Sequence, residues 1–177
     1  MKRHLTGNIT MAALLTAVAL IVFYIEAQLP ALTPVPGIKL GLSNIITLFA
    51  LYALGRRYAF AVLVARVILG GLLTGQSMAI IYSISGGIPA LLLSMLVYRR
   101  FKMKQIWVVS VFAAVIHNCG QIGAAMIITG TAEIILYLPL LIISGIITGA
   151  FTGLCAQLLL IKLNGAGVIQ LNGHNQN

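Results

Sequence analysis

The 177-residue chain is 60% hydrophobic and only 7% charged, with a mean hydropathy of +1.08, a composition outside the usual range of soluble domains. Its formal net charge of +9 comes from eleven Lys or Arg set against two acidic residues, Glu26 and Glu133, and it contains no aspartate. That excludes chemistry built on paired aspartates or carboxylate-held metals, and the basic residues, clustered between apolar runs, have no soluble domain in which to form a nucleic-acid groove.

The composition predicts a multi-pass protein of the cell membrane. About 20 apolar residues are needed to cross a hydrocarbon core of about 30 Å, and six segments meet or approach that length. The first, residues 9–27, follows Lys2 and Arg3 and ends at Glu26. Basic residues ahead of an apolar run suggest a signal peptide, but five more apolar runs follow, so the segment is read as the first transmembrane helix. The second span, residues 39–54, opens at Lys39 and is closed by Gly55-Arg56-Arg57; the third, residues 58–73, is short and contains Arg66. Gly70, Gly71 and Gly75 precede the fourth span, residues 77–97, where Ser85-Gly86-Gly87-Ile88-Pro89 predicts a kinked or broken helix. The fifth, residues 106–128, carries His117, Asn118 and Gln121. The sixth, residues 132–161, is longer than a perpendicular crossing requires and is expected to tilt, or to bend at Pro139. The expected architecture is thus an all-α bundle of six transmembrane helices over residues 1–163, followed by a polar, disordered tail at 164–177.

Lys and Arg collect on the cytoplasmic side of membrane proteins. Lys2, Arg3, Arg56, Arg57, Arg99, Arg100, Lys102, Lys104 and Lys162 all fall on one side of an even number of crossings. The loops on the other side, residues 28–38, 74–76 and 129–131, have no Lys or Arg, which predicts cytoplasmic termini. Only Lys39 and Arg66 remain. An arginine at mid-membrane costs at least about 2.5–3.5 kcal/mol on insertion scales, so Arg66 is expected to face the bundle or a cavity, or to pair with Glu26. Lys39 follows a loop stiffened by Pro30, Pro34 and Pro36. With Gly37, Pro34 and Pro36 are candidate lid residues over a pocket in which Lys39 and Asn44 meet a polar ligand group.

His117 and Gln121 lie four residues apart on one helical face with Asn118 beside them. Buried polar side chains in a membrane need partners, and these three suit either interhelical hydrogen bonds or a ligand cradle. No second His or aspartate accompanies His117, so no metal site is expected. Cys119 and Cys155 are too far apart for a CxxC pair. Gly145, Gly149 and Gly153 form GxxxGxxxG, and Ala13 and Ala17 form AxxxA; both spacings let helices approach closely, within the chain or against a partner.

Val35-Pro36-Gly37-Ile38-Lys39-Leu40-Gly41-Leu42-Ser43-Asn44-Ile45-Ile46-Thr47-Leu48 resembles a motif of the Gx transporter family, often labelled heptaprenyl diphosphate synthase component I. Ala65-Arg66-Val67-Ile68-Leu69-Gly70-Gly71-Leu72-Leu73 and Ser85-Gly86-Gly87 extend the likeness, which spans residues 8–162. That family in turn resembles the substrate-binding S components of energy-coupling factor (ECF) transporters, six-helix proteins that capture a vitamin or related small molecule from outside. The resemblance implies that residues 28–38 form the lid and that Ala13 and Ala17 dock a coupling membrane protein. ATP would be used by partner ATPases, since the chain has no Walker A motif. It also implies two alternatives: a membrane subunit of quinone-to-flavin extracellular electron transfer, with redox partner subunits, and a noncatalytic partner of a prenyl diphosphate synthase. No haem or flavin motif is present; a bound flavin or quinone is compatible with the second reading. Prenyl elongation resembling that of trans-prenyltransferases needs aspartate-rich motifs, so the chain is not expected to be an enzyme and no catalytic residue is assigned. The expected ligand site comprises Lys39, Asn44, Arg66, His117, Asn118 and Gln121.

Overall fold

The computed structural model describes residues 2–28, 38–75 and 77–167. Six α-helices account for nearly all of them: α1 (Lys2–Ala27), α2 (Asn44–Ala53), α3 (Arg56–Thr74), α4 (Ser77–Val97), α5 (Ile106–Thr129) and α6 (Leu138–Gly165). Short 3₁₀ turns at Met103–Gln105 and Ala132–Tyr137 lead into α5 and α6. The chain is a multi-pass membrane protein: five of the helical segments are long and apolar enough to cross a membrane. Large apolar side chains such as Leu72, Leu96, Ile127 and Leu136 are exposed on the bundle's outer surface, the pattern expected where lipid is the solvent.

The second expected span is where sequence and structure part. Residues 38–41 are not helical, Leu42 and Ser43 form a turn, and α2 begins only at Asn44. Its ten residues, at 1.5 Å per residue, reach only about half of the hydrocarbon core. Gly41 has φ +78°, a left-handed conformation that L side chains rarely adopt; it turns the chain into α2. The bend expected at Pro139 is also absent from the helix interior. Pro139 lies in the first turn of α6, where a missing N–H costs no intrahelical bond and the fixed φ suits helix entry. Of the kinked or broken helix expected near Pro89, the break does not occur, because α4 runs as one helix through Ser85-Gly86-Gly87-Ile88-Pro89 with the proline in its interior.

Helix α5 is the centre of the larger layer, packing against α4 on one side and α6 on the other. Both contacts rely on missing side chains. A Cβ on Gly86 would lie 2.5 Å from the carbonyl oxygen of His117, and one on Gly120 would collide with the carbonyl oxygen of Ser85. On α6, Gly145, Gly149 and Gly153 all face α5, meeting Asn118, Val111 and Trp107 respectively. The GxxxGxxxG pattern is therefore an internal α5–α6 seam. Ala13 and Ala17, in contrast, are exposed on α1, on the face away from its buried residues Leu15, Ala19, Phe23 and Glu26.

Two apolar clusters occupy the interior. One gathers Phe49, Leu51 and Tyr52 of α2 with Val62, Leu63, Leu91, Ile106 and Leu160. The other joins Ile38, Tyr82, Ile122, Ile134 and Leu141. Buried polar residues of α1, α3 and α5, namely Glu26, Arg66, His117 and Gln121, line a common cavity.

Close backbone packing makes the α5–α6 seam intolerant of bulk. Gly149→Leu, whose Cβ would lie 2.9 Å from Val111 Cα, is expected to lose about 1–3 kcal/mol of stability through overpacking. Gly123→Leu, where a Cβ meets nothing within 4 Å, is expected to stay within about 0.5 kcal/mol of wild type. Thermal unfolding of the two purified variants in detergent measures the difference, and equal losses would contradict the seam.

Candidate functional site

The site is built around the irregular backbone ahead of α2. Main-chain N–H and C=O groups inside a membrane must find partners within the protein, and the carbonyls of residues 41–43 and the N–H groups of Gly41 and Leu42 do so in two ways. The chain turns on itself, with Asn44 N–H donating to Gly41 O, Ile45 N–H to Leu42 O and Ile46 N–H to Ser43 O. The last turn of α1 supplies the remaining acceptor: Glu26 Oε1 accepts from Gly41 N–H at 2.5 Å and from Leu42 N–H at 3.2 Å.

Arg66 secures the same segment from α3. Its side chain is 1% exposed, so it does not snorkel; Nη1 donates to Ser43 Oγ and Nη2 to Asn44 Oδ1. The planar guanidinium suits two acceptors on neighbouring residues. Ser43 stands at the N-cap of α2 without making a side-chain cap bond, because its hydroxyl is directed to Arg66. The expected pairing of Arg66 with Glu26 is replaced by a division of work: the carboxylate holds backbone N–H groups and the guanidinium holds side chains of the same turn.

A small cavity, with room for about one water molecule, lies beside this turn, lined by Phe23 and Glu26 of α1, Lys39, Gly41 and Ser43, Arg66 of α3, Ser83 of α4, and His117 and Gln121 of α5. Lys39 Nζ lies 3.6 Å from the centre of the Phe23 ring, a cation–π contact, but no hydrogen-bond acceptor reaches it among the described residues. Gln121 is 0% exposed, and neither its Nε2 nor its Oε1 has a partner among those residues; nor does Glu26 Oε2. Unsatisfied buried polar groups are costly, and several on one small cavity mark a place shaped for something polar.

Of the six expected ligand residues, the structure brings Lys39, Arg66, His117 and Gln121 together on this cavity. Asn118 points elsewhere: its Nδ2 donates to Leu141 O at 2.6 Å and abuts Gly145, so it ties α5 to α6. Asn44 anchors Arg66 and lines a second, larger cavity between α2 and helices α4 to α6. On its walls Ser94, Thr148, Ser110 and Thr152 already hydrogen-bond to helix carbonyls or to one another, and Thr47 Oγ1 has no partner among the described residues. The lid residues Pro34, Pro36 and Gly37 lie outside the described residues. Among the described residues, no group of three or more His, Cys, Asp or Glu could hold a metal ion.

Phe23, Ser43 and Ser83 are contributions that sequence reasoning missed. Glu26 had a visible signal, as an acidic residue within an apolar run, although its bond to backbone could not be read from it.

The sequence model of heptaprenyl diphosphate synthase component I matches residues 15–159. The chain belongs to that family. The match covers α2 to α5 entirely, with half of α1 and most of α6, and so contains every described residue of the cavity. No curated protein and no solved structure matches the chain.

The Glu26 clasp predicts different outcomes for two substitutions. Glu26→Gln keeps a carbonyl oxygen for Gly41 and Leu42 and is expected to lose less than about 1 kcal/mol. Glu26→Leu leaves two part-buried N–H groups unpaired and is expected to lose about 2–6 kcal/mol, taking about 1–3 kcal/mol for each unsatisfied donor. Denaturant unfolding in detergent separates the two, and a Glu26→Gln loss as large as that of Glu26→Leu would contradict the clasp.

Proposed function

We propose that the chain is the ligand-binding membrane subunit of an ECF-type transporter in the cell membrane, taking up a small molecule from the extracytoplasmic side. The observation that carries this reading is the convergence of Lys39 Nζ, Glu26 Oε2 and both polar atoms of Gln121, without described partners, on one buried cavity. A few convergent polar groups that fix orientation are a usual feature of small-molecule sites.

The direction of capture rests on charge. By sequence, the basic residues other than Lys39 and Arg66 fall on one side of an even number of crossings, which supports cytoplasmic termini and an outside position for residues 28–38. In this reading the irregular segment and the short α2 together make one crossing, preserving six. Irregular backbone at membrane depth is tolerated where it is buried in protein or lines a cavity, and in transporters interrupted helices commonly build the binding site. Ala13 and Ala17, exposed on α1, offer a docking face for a coupling membrane subunit, and associated ATPases supply the energy.

The family's description favours a second reading, a noncatalytic membrane partner of a prenyl diphosphate synthase. With no aspartate in the chain, the elongation chemistry would belong to that partner.

Native mass spectrometry of the gently solubilised protein tests the first reading. Wild type is expected to retain a small molecule, with occupancy reduced at least about tenfold in Gln121→Leu and in Lys39→Ala, the change expected from losing about 1.4 kcal/mol of binding. Copurification of a coupling membrane protein and ATPases adds support. An empty protein that copurifies with a prenyl synthase or with redox subunits defeats the transport reading.

A further inference from the structure

Beyond the far end of α2 the bundle gathers exposed cations from three separate stretches of chain. Gly55, at φ +91°, turns α2 directly into α3 and sets Arg56 and Arg57 at the corner. Arg99, Arg100, Lys102 and Lys104 occupy the connection between α4 and α5, and Lys162 lies in the last turn of α6, which packs against the Met103–Gln105 turn. The first two stretches meet on one ring. Arg56 Cζ lies 5.4 Å and Arg99 Cζ 5.7 Å from the centre of the Tyr98 ring, and Arg56 Nη2 donates to Met95 O at 3.1 Å in the last turn of α4. Tyr98 is buried and stands edge-on to Tyr52 with ring centres 5.8 Å apart, and its hydroxyl accepts from Arg99 Nε at 3.0 Å. The two ring distances cap the separation of the guanidinium carbons at about 11 Å, close to the Debye length of about 10 Å at 0.1 M salt, so the like charges still repel. Neither side-chain carboxylate of the chain serves them: Glu26 clasps Gly41 and Leu42 at the opposite end of α2, and Glu133 precedes α6, at the end opposite Lys162.

We propose that Arg56 and Arg99, both held on the Tyr98 ring, bind the phosphate of an anionic phospholipid, with Arg57, Arg100, Lys102 and Lys104 as its basic surround. A guanidinium presents a planar fork of N–H donors suited to phosphate oxygens, and an anion shared by the pair removes their mutual repulsion. A lipid is favoured by the apolar surface that adjoins each basic stretch. Phe60 is exposed four residues after Arg56, hence on the same face of α3. Leu92 and Leu96 are exposed on the last turns of α4, leading up to Arg99, and Trp107, 41% exposed, stands in the first turn of α5 just after Lys104. Tryptophan at the end of a membrane helix marks the headgroup level, so the cations lie at the depth of lipid phosphates and the apolar side chains at that of acyl chains. Clusters of about four to eight Lys or Arg beside a membrane helix are the usual footprint of anionic lipid. The site is independent of whatever the Lys39 cavity binds.

Native mass spectrometry of the full chain, released from nanodiscs of equal phosphatidylglycerol and phosphatidylcholine content, tests the site. Wild type is expected to retain phosphatidylglycerol in preference to phosphatidylcholine. Arg56→Gln and Arg99→Gln should each lower that preference about fivefold, the equivalent of about 1 kcal/mol for one basic residue near an anionic surface. Lys162→Gln removes the same charge from the same end of the bundle, on α6, and should lower it less. Equal retention of the two lipids by wild type overturns the proposal without recourse to any variant. A fall in Lys162→Gln as large as that in Arg56→Gln replaces the paired site with general surface attraction and also overturns it. Thermal unfolding distinguishes the source of the phosphate: phosphatidylglycerol should raise the midpoint, whereas inorganic phosphate added to pure phosphatidylcholine nanodiscs at matched ionic strength should not. An equal rise with inorganic phosphate assigns the arginines to a soluble anion and overturns the lipid assignment. So does an acidic protein that is retained through Arg56 and Arg99 in place of lipid.

Discussion

The carboxylate of Glu26 accepts two consecutive backbone N–H groups, those of Gly41 and Leu42, and much of the site's geometry depends on that clasp. A non-helical segment inside an apolar bundle has no water to satisfy its main chain. Glu26 supplies the acceptor from α1, the turn supplies others from its own carbonyls, and Arg66 fastens the adjoining side chains from α3. Two helices distant in sequence, α1 and α3, are thus tied to one short stretch. The turn also positions Lys39 at the cavity, because Gly41 redirects the chain immediately after it.

The bundle divides by the way its helices meet. Helices α4, α5 and α6 approach through glycines, so backbone lies against backbone and little volume is left for rearrangement. Packing of this kind is the main source of attraction between helices that are all equally apolar. On the α1–α3 side the contacts include charged and hydrogen-bonding groups as well as apolar ones. The cavity opens between these two kinds of packing, bounded by Gln121 and His117 of the close-packed layer and by Glu26 and Arg66 of the other. His117 belongs to both descriptions: Gly86 makes room for it on α4, and a Cβ at Gly41 would stand 2.9 Å from its ring.

Much of the fold was legible in the sequence because membrane helices are written in long apolar runs, and the expected limits of the fourth and fifth spans agree with α4 and α5 almost to the residue. The errors fell where hydropathy carries no conformational information. Residues 39–43 are about as apolar as a helix start, yet are not helical, since the alternative backbone is held by an acid some fifteen residues upstream. Pro139 is as visible as any breaker, but whether proline bends a helix or begins one depends on its position, and Ala132–Tyr137 takes the 3₁₀ form before it. For the site, Lys39, Arg66, His117 and Gln121 stood out as polar residues in apolar surroundings. Asn118 stood out for the same reason and serves the α5–α6 contact instead; adjacent helical positions differ in direction by about 100°, and only the neighbouring helices decide which direction is the cavity.

The sequence by itself determined the solvent, the number of apolar segments and the charge inventory: a lipid-embedded chain with two cations and one acid among its buried groups and no aspartate. Composition and order along the chain suffice for these, whereas which of the charged groups are buried, Glu26 and Arg66 among them, needed the coordinates. The tertiary structure decided that α2 is half a crossing, that Glu26 binds backbone rather than Arg66, and that Gln121 is left with two unused polar atoms. Each of those depends on the distance between groups far apart along the chain, and such distances are set by how the helices pack.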